Sequence, residues 1–397
     1  MKNIKVLYLT ISFDKNGNNL YNDLVNELLE NNHNVTVVRS SNEGEIQTDD
    51  TIGNSKLSII NVKTSNIFSN NIIGKGLSTI MIGHLFKKSV KNLLLNEKFD
   101  LLIYATPPIT FNNVVKFCKK KFGCKTFLML KDIFPQNAVD LGMFRKNGIV
   151  YGYFRKKEKS LYMLSDYIGC MSNGNIEYLK NNNEYININK VGLFPNSIKI
   201  RNLNCENIGG SNYIQFIFGG NLGRPQNIKG LLEIIDGLKD YKKAKFVICG
   251  NGTEVGLIKD YIKLEYSSKN VLYYDKLPKQ EYDKILNKSD IGLISLDPRF
   301  TIPNIPSKLQ NYMMLKKPIL AIVDRNTDIP SIIEDAHCGW AVCSEDISGA
   351  IEKIKEICEL RTDYKEMGRQ GFSYLLNHYN IEDNVKIIER FMEEKYE

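Results

Sequence analysis

Lys308 is the residue of this chain best placed to do chemistry. It stands in Pro303-Asn304-Ile305-Pro306-Ser307-Lys308-Leu309. Two prolines fix an extended approach, and Ser307 carries a hydroxyl suited to capping the first amides of a helix. Leu309, Tyr312 and Met313 follow at i, i+3, i+4 as one buried stripe. Lys316-Lys317-Pro318 ends the helix, and Ile319–Val323 begins a strand. A lysine at a helix N-terminus, where unpaired N–H groups and the macrodipole favour negative charge, can hold a phosphate. A second stretch, Phe218-Gly219-Gly220-Asn221-Leu222-Gly223-Arg224, follows an apolar run and precedes a helical pattern. Its glycines let backbone approach a ligand and offer N–H groups to a diphosphate. Arg224 and Lys229 can pair with phosphate oxygens, arginine in bidentate fashion. A plain strand-to-helix turn with solvated cations is the alternative. Cys249-Gly250-Asn251-Gly252 repeats the theme with less specificity, because tight turns use the same glycines.

The first half holds a carboxylate in a comparable position. Lys131-Asp132-Ile133-Phe134-Pro135 ends an apolar run. Asp132 can orient an acceptor hydroxyl and take its proton late in a transfer; an N-cap for the next short helix is an equal reading. Leu101–Ala105 ends at Thr106-Pro107-Pro108, and strand ends of open α/β sheets are where ligands bind. Gly17-Asn18-Asn19, after the first strand, offers contacts to a diphosphate or acceptor, or is a simple turn.

The totals bound the class. The chain has 397 residues, 43% hydrophobic and 25% charged, comfortable for two globular domains. Its formal net charge of +8 favours phosphorylated ligands or anionic lipid, and no nucleic-acid signature accompanies it. Eight cysteines are scattered without metal-ligand spacing, so buried reduced thiols, a cytoplasmic setting and no metal are expected. The N-terminus reads as a strand rather than a signal peptide, and no apolar run is long enough to span a membrane. The four histidines are isolated.

The elements that must position these residues read as two βαβ series. Strands are expected near 4–11, 34–39, 57–62, 101–105, 126–130, 167–171 and 190–193, with a helix over 18–32. After a polar linker at 200–212 the pattern restarts. Strands follow near 213–218, 245–249, 271–274, 291–295, 319–323 and 340–342, with helices over 229–238, 253–266, 348–359 and 381–395. Strand–helix alternation implies parallel sheets with right-handed crossovers. Met143–Leu164 and Gly74–Leu95 mix lysines and arginines with aromatic and aliphatic residues. They read either as membrane-surface faces or as core helices with a solvated side.

The run Pro306-Ser307-Lys308-Leu309, with Tyr312 and Lys317-Pro318-Ile319-Leu320-Ala321, resembles the donor-binding helix of retaining family-four (group 1) glycosyltransferases. It is most similar to the fucosamine-transferase-like branch that builds capsule and O-antigen repeats. Gly220-Asn221 with Gly223 and Gln226, and Asp132 with Pro135, Ala138-Val139 and Leu141-Gly142, match patterns of that branch. The resemblance implies an α/β GT-B fold: Rossmann-like domains at 1–200 (acceptor) and 206–371 (donor) facing a cleft, with 372–397 crossing back to the first.

It also implies site roles. Gly220, Asn221, Gly223, Arg224, Lys229, Gly250, Gly252, Ile305, Pro306, Ser307 and Lys308 would hold the donor. Backbone at Lys276 and Leu277 would read uracil, and Thr106 would lie under the donor sugar. Gly17, Asn18 and Asp132 would meet the acceptor. The family's two glutamates, eight positions apart, are replaced by Pro303 and Asn311. A ribose contact then falls to uncharged Asn311, and the sugar contact to backbone of 301–305.

The implied enzyme is metal-independent and needs no cofactor. It moves a sugar, N-acetylated or 6-deoxy, from a UDP-sugar to an undecaprenyl-diphosphate-linked saccharide on the anionic inner membrane surface. Asp132, Thr106, Arg224 and Lys308 would carry the chemistry. A nucleotide-sugar 2-epimerase and a non-catalytic nucleotide-sugar-binding subunit are the alternatives.

Overall fold

The computed structural model describes residues 3–15, 17, 19–42, 47–53, 55–64, 72–201, 212–264, 270–360 and 364–394. The chain divides into two compact units, Met1–Lys199 with Asn380–Glu397, and Ile200–Tyr379. Each is a Rossmann-like α/β layer structure, the GT-B architecture expected from the sequence.

The first unit holds β1 (Lys5–Thr10), β2 (Asn34–Ser41), β3 (Gln47–Ile52), β4 (Ser55–Lys63), β5 (Leu101–Thr106), β6 (Lys125–Leu130), β7 (Tyr167–Cys170) and β8 (Val191–Leu193). Their order in the sheet is β3-β4-β2-β1-β5-β6-β7-β8. All pairs are parallel except β3 with β4. The sequence analysis misses β3 because Gln-Thr-Asp-Asp-Thr-Ile has weak strand preference. Pairing with β4, around a turn at Gly53 (φ 59°), makes it a strand.

The second unit holds β9 (Ile214–Asn221), β10 (Ala244–Asn251), β11 (Val271–Tyr274), β12 (Ile291–Ser295), β13 (Ile319–Val323) and β14 (Gly339–Cys343) in the order β11-β10-β9-β12-β13-β14, all parallel. Central strands such as Phe216-Ile217-Phe218 and Leu320-Ala321-Ile322 are buried, which is why they read as continuous apolar runs. The helix Ile228–Gly237 turns Ile228, Leu231, Ile234 and Ile235 onto this core. Its N-cap is Asn227, whose side chain accepts from the Gly230 N–H at 3.3 Å.

The last helix, Ile381–Glu393, belongs to the first unit. Ile381, Val385, Ile388 and Phe391 enter that core, and the Phe391 ring centroid lies 5.7 Å from that of Phe127. Segment 372–379, expected with this helix, instead ends the helix Tyr364–His378 of the second unit. Both segments show helical periodicity, so only the break at Tyr379–Asn380 separates them.

The described cysteines are free thiols, all buried except half-buried Cys343; Cys205 lies outside the described residues. No helix among the described residues is long and apolar enough to cross a membrane.

Candidate donor and acceptor sites

The strand order of the second unit reverses direction between β9 and β12, and open α/β sheets bind ligands beyond the strand ends at that point. Phe218-Gly219-Gly220-Asn221 is the end of β9. Gly220 (φ 108°) is in register with Gly250 (φ 149°) on β10. A Cβ on Gly250 would collide with the Gly220 carbonyl, so this close approach needs glycine. The Leu222 N–H donates to Asn251 O at 2.9 Å, and the Glu254 N–H to Leu222 O at 2.9 Å. The two glycine turns are thus one structure. Tyr312 Oη lies 3.2 Å from Ile217 O and 3.1 Å from Leu293 O, strapping β9 to β12 across the switch point. Its ring fills the space a side chain at Gly292 would need.

Lys308 begins the helix Lys308–Met314 and folds its side chain back to β9. Nζ is buried, has no hydrogen-bond partner, and lies 3.5 Å from the Phe218 ring centroid. Any Cβ on Gly220 would touch Lys308 Cε at 3.5 Å. Burial pushes the lysine's pKa down to about 7. A cation–π contact returns only about 2 kcal/mol, so a desolvated ammonium without a counter-charge is costly as it stands. Ser307 occupies the N-cap position, but its backbone is helical and its hydroxyl caps nothing, contrary to the expected role.

The approach to Lys308 is fixed from the loop that follows β13. Asn326 Nδ2 donates to Phe300 O at 2.5 Å and Thr327 Oγ1 to Asn304 O at 2.7 Å. Asp324 Oδ1 accepts from the Asn326 and Thr327 N–H groups at 2.8 and 3.1 Å. None of these three residues carries a motif, so sequence reasoning passed over them. Pro303 and Ile305 are buried, Pro306 is half-buried, and Asn311 is exposed.

Arg224 is 58% exposed, its Nε 3.7 Å from Glu254 Oε1. Lys229 is 81% exposed and sits 3.8 Å from Glu233 on its own helix. The structure therefore buries the Lys308 ammonium and leaves that of Lys229 in solvent. The neighbouring Pro225 carbonyl accepts from the Asp297 N–H at 3.0 Å, and Arg299 pairs with Asp297 at 2.7 Å. Asn221 is exposed, and Gly223 donates its N–H to Gln226 Oε1 at 3.4 Å. Gly252 packs against the Leu222 backbone. Beyond β11, Lys276 is exposed and Leu277 half-buried. Tyr273 Oη lies 3.2 Å from Gly250 O and 2.8 Å from Asp275 Oδ1, which ties that loop to the glycine turn.

In the first unit the switch point lies between β1 and β5. Asp132 follows β6, and Asn137 Nδ2 donates to both its carboxylate oxygens, at 2.7 and 2.8 Å. Burial raises the Asp132 pKa to about 6; backbone at Ile133 and the Asn137 amide oppose this, and Glu158 adds to it. The short helix Gln136–Asp140 begins after Pro135, so Asp132 is not its N-cap. Tyr21 is near enough that Asp132 contributes, after burial, to raising the phenol to about 12. Thr106 is buried; its hydroxyl donates to Asp132 O and accepts from the Lys131 N–H, both at 3.2 Å. That makes it a brace between β5 and β6. Lys131 donates to Phe194 O and Pro195 O, both at 3.3 Å, and burial lowers its pKa to about 7. The Gly17 N–H donates to Asp14 O at 2.7 Å, a turn; Asn18 lies outside the described residues.

Residues 207–374, wholly within the second unit, match the family model Glycosyl transferases group 1. The chain carries a group 1 glycosyltransferase domain and is a glycosyltransferase. A probable glycosyltransferase of Pseudomonas aeruginosa, WbjE, is 28% identical to it over 328 residues, covering 78% of each chain. Among solved structures, sucrose-phosphate synthase of Thermosynechococcus elongatus superposes on this glycosyltransferase with a TM-score of 0.73 at 10% identity, covering 98% of both. A mutant of S. aureus TarM in complex with Fondaparinux, alpha-GlcNAc-glycerol and UDP gives 0.71 at 12% identity, covering 98% of this chain and 100% of that one. At such identities the structures speak for the fold alone.

Proposed function

We propose that this glycosyltransferase moves a sugar from a UDP-sugar to a lipid-diphosphate-linked saccharide in the assembly of a capsule or O-antigen repeat. The observation that carries the donor half is Lys308. Its buried, unpartnered ammonium stands beside two positive-φ glycines at the strand-order reversal of the second unit. A diphosphate supplies the missing counter-charge. The TarM structure holds UDP and the E. coli trehalose-6-phosphate structure UDP-2-fluoro glucose, which supports a uridine nucleotide.

As the glycosidic bond breaks, negative charge grows on the leaving diphosphate. Lys308 stabilises it from a desolvated position, where such a charge acts most strongly, and Arg224 adds a second, exposed cation. Lys229 plays a smaller part because water screens it. Asp132, with its raised pKa, orients the acceptor hydroxyl. The resemblance supports retention of configuration without a metal, with a donor phosphate oxygen taking the hydroxyl proton.

Residues around the helix Ile149–Leu164 support work at an anionic membrane. Ile149 is 94% exposed, Met143, Val150 and Tyr153 are also exposed, and Arg145, Lys146 and Lys156 are exposed beside them. The epimerase alternative would need an imidazole with carboxylates. The histidines are engaged elsewhere: His33 with Glu389 at 3.1 Å, His84 with Asn113 at 3.5 Å, His378 stacked on Tyr374, and His337 at a helix end.

The test is a panel of radiolabelled UDP-sugars with undecaprenyl-diphosphate-linked saccharides. Transfer to lipid is expected for one donor, and is lost in Lys308→Ala with Arg224→Ala. Epimerised free donor, binding without turnover, or an unaffected double variant would overturn the proposal.

A further inference from the structure

The Asn137 amide holds both oxygens of Asp132 from a different element, the helix that follows the strand end. One nitrogen 2.7 and 2.8 Å from the two oxygens shares its donation between them and holds the carboxylate toward Asn137. The orientation of the amide is settled chemically: with Oδ1 and Nδ2 exchanged, an oxygen would face a carboxylate. Asn137 Oδ1 then points away from Asp132 and is buried with no hydrogen-bond partner. A buried carbonyl without a donor costs about 1–3 kcal/mol, and that cost is removed when a donor arrives. The two acceptors, one charged and one neutral, are joined through a single amide group.

We propose that Asn137 is the positioning residue of the acceptor subsite. It presents Asp132 in one orientation and holds that carboxyl ionised at neutral pH. The inference rests on the reading of Asp132 as the group that meets the acceptor hydroxyl. It goes beyond that reading by assigning the orientation and ionisation of Asp132 to one named amide.

The groups that face Asp132 decide the direction of the effect. Glu158, on the helix Ile149–Leu164, disfavours its charge, whereas Tyr21, on the helix Leu20–Glu30, is a neutral phenol in this range because its own pKa is raised to about 12. Lys131, although adjacent in sequence, directs its ammonium to the carbonyls of Phe194 and Pro195. Of the groups that lower the Asp132 pKa, the backbone at Ile133 and the Asn137 amide, only Asn137 can be removed by a side-chain substitution. Without it the proton binds more tightly.

The experiment is a carbon-13 titration of the Asp132 carboxyl in the full chain, in wild type, Asn137→Ala, Asn137→Ser and Asp132→Asn. It is paired with initial rates against pH using undecaprenyl-diphosphate-linked N-acetylglucosamine and the donor identified in the panel above. The wild-type carboxyl is expected to titrate near 6 and the Asn137→Ala carboxyl higher, with Asn137→Ser between them. The acid limb of the rate moves by the same interval, and KM rises for the acceptor but not for the donor. An unmoved titration in both Asn137 variants overturns the proposal, as does an equal rise in both KM values. If Asp132→Asn keeps the wild-type profile, the reading of Asp132 itself fails, whatever Asn137 does.

Discussion

Lys308 Nζ rests 3.5 Å from the Phe218 ring centroid, buried and with no hydrogen-bond partner. An aromatic face from the end of β9 and a cation from a helix ninety residues later meet where β9 and β12 diverge. The ring lowers the cost of keeping the charge dry but provides no counter-ion.

The first prediction concerns proton linkage. With a pKa near 7, Lys308 is mostly neutral at pH 8, and a bound diphosphate restores its charge. UDP binding at pH 8 should therefore take up close to one proton. Calorimetry in two buffers of different ionisation enthalpy measures it. The uptake should vanish in Lys308→Met.

The same residue burdens the fold. Its folded pKa lies below the unfolded value, so the unfolded chain binds the extra proton between about pH 7 and 10. The cost is complete below pH 7 and gone above the unfolded pKa. Lys308→Met should raise the melting temperature most at pH 6 and least above pH 10, while UDP affinity falls at least tenfold.

Asp132 titrates in the opposite sense. Burial raises its pKa to about 6, so the folded state binds more protons than the unfolded one between about pH 4 and 6. Turnover should fall below pH 6, and Asp132→Asn should remove that limb. The substitution should also stabilise the fold at pH 8 more than at pH 4, checked by denaturant titration at both.

Gly250 tests the tight seam between the glycine turns. With φ 149° and the Gly220 carbonyl against its Cα, Gly250→Ala should cost about 2–4 kcal/mol and weaken UDP binding. Gly256, whose Cβ position is open and which lies in the helix Val255–Ile262, is the control. Gly256→Ala should be neutral or stabilise by up to about 1 kcal/mol. Thermal unfolding of both variants decides the matter.

Tyr312→Phe removes the hydroxyl that straps β9 to β12, whose single proton is shared between the buried carbonyls of Ile217 and Leu293. A loss of about 1–3 kcal/mol is expected, read from urea unfolding.

Much of the fold was legible in the chain itself. Continuous apolar runs such as Tyr104's strand and Phe216-Ile217-Phe218 declare buried parallel strands, since those residues are covered on both faces. Lys308, Gly220 and Gly250 were equally visible, because a cation before an apolar stripe and glycines after a strand have local causes. Other features were not. Polar β3 exists only through its pairing with β4. The break that gives Tyr364–His378 to one unit and Ile381–Glu393 to the other depends on which core each apolar face enters. Ser307 has the right residue type for a cap but the wrong backbone, and Thr106 became a brace once β6 lay beside β5.

Sequence by itself determined the residue types, the two βαβ series and the positions where backbone must turn closely, because those follow from local sterics and periodicity. Tertiary structure alone decided that Lys308 Nζ is dry while Lys229 is wet, and that Asp132 is desolvated enough to hold its proton up to about pH 6. Burial and partner choice depend on residues far apart in the chain, and burial is what turns an ordinary lysine or aspartate into a group poised near neutral pH.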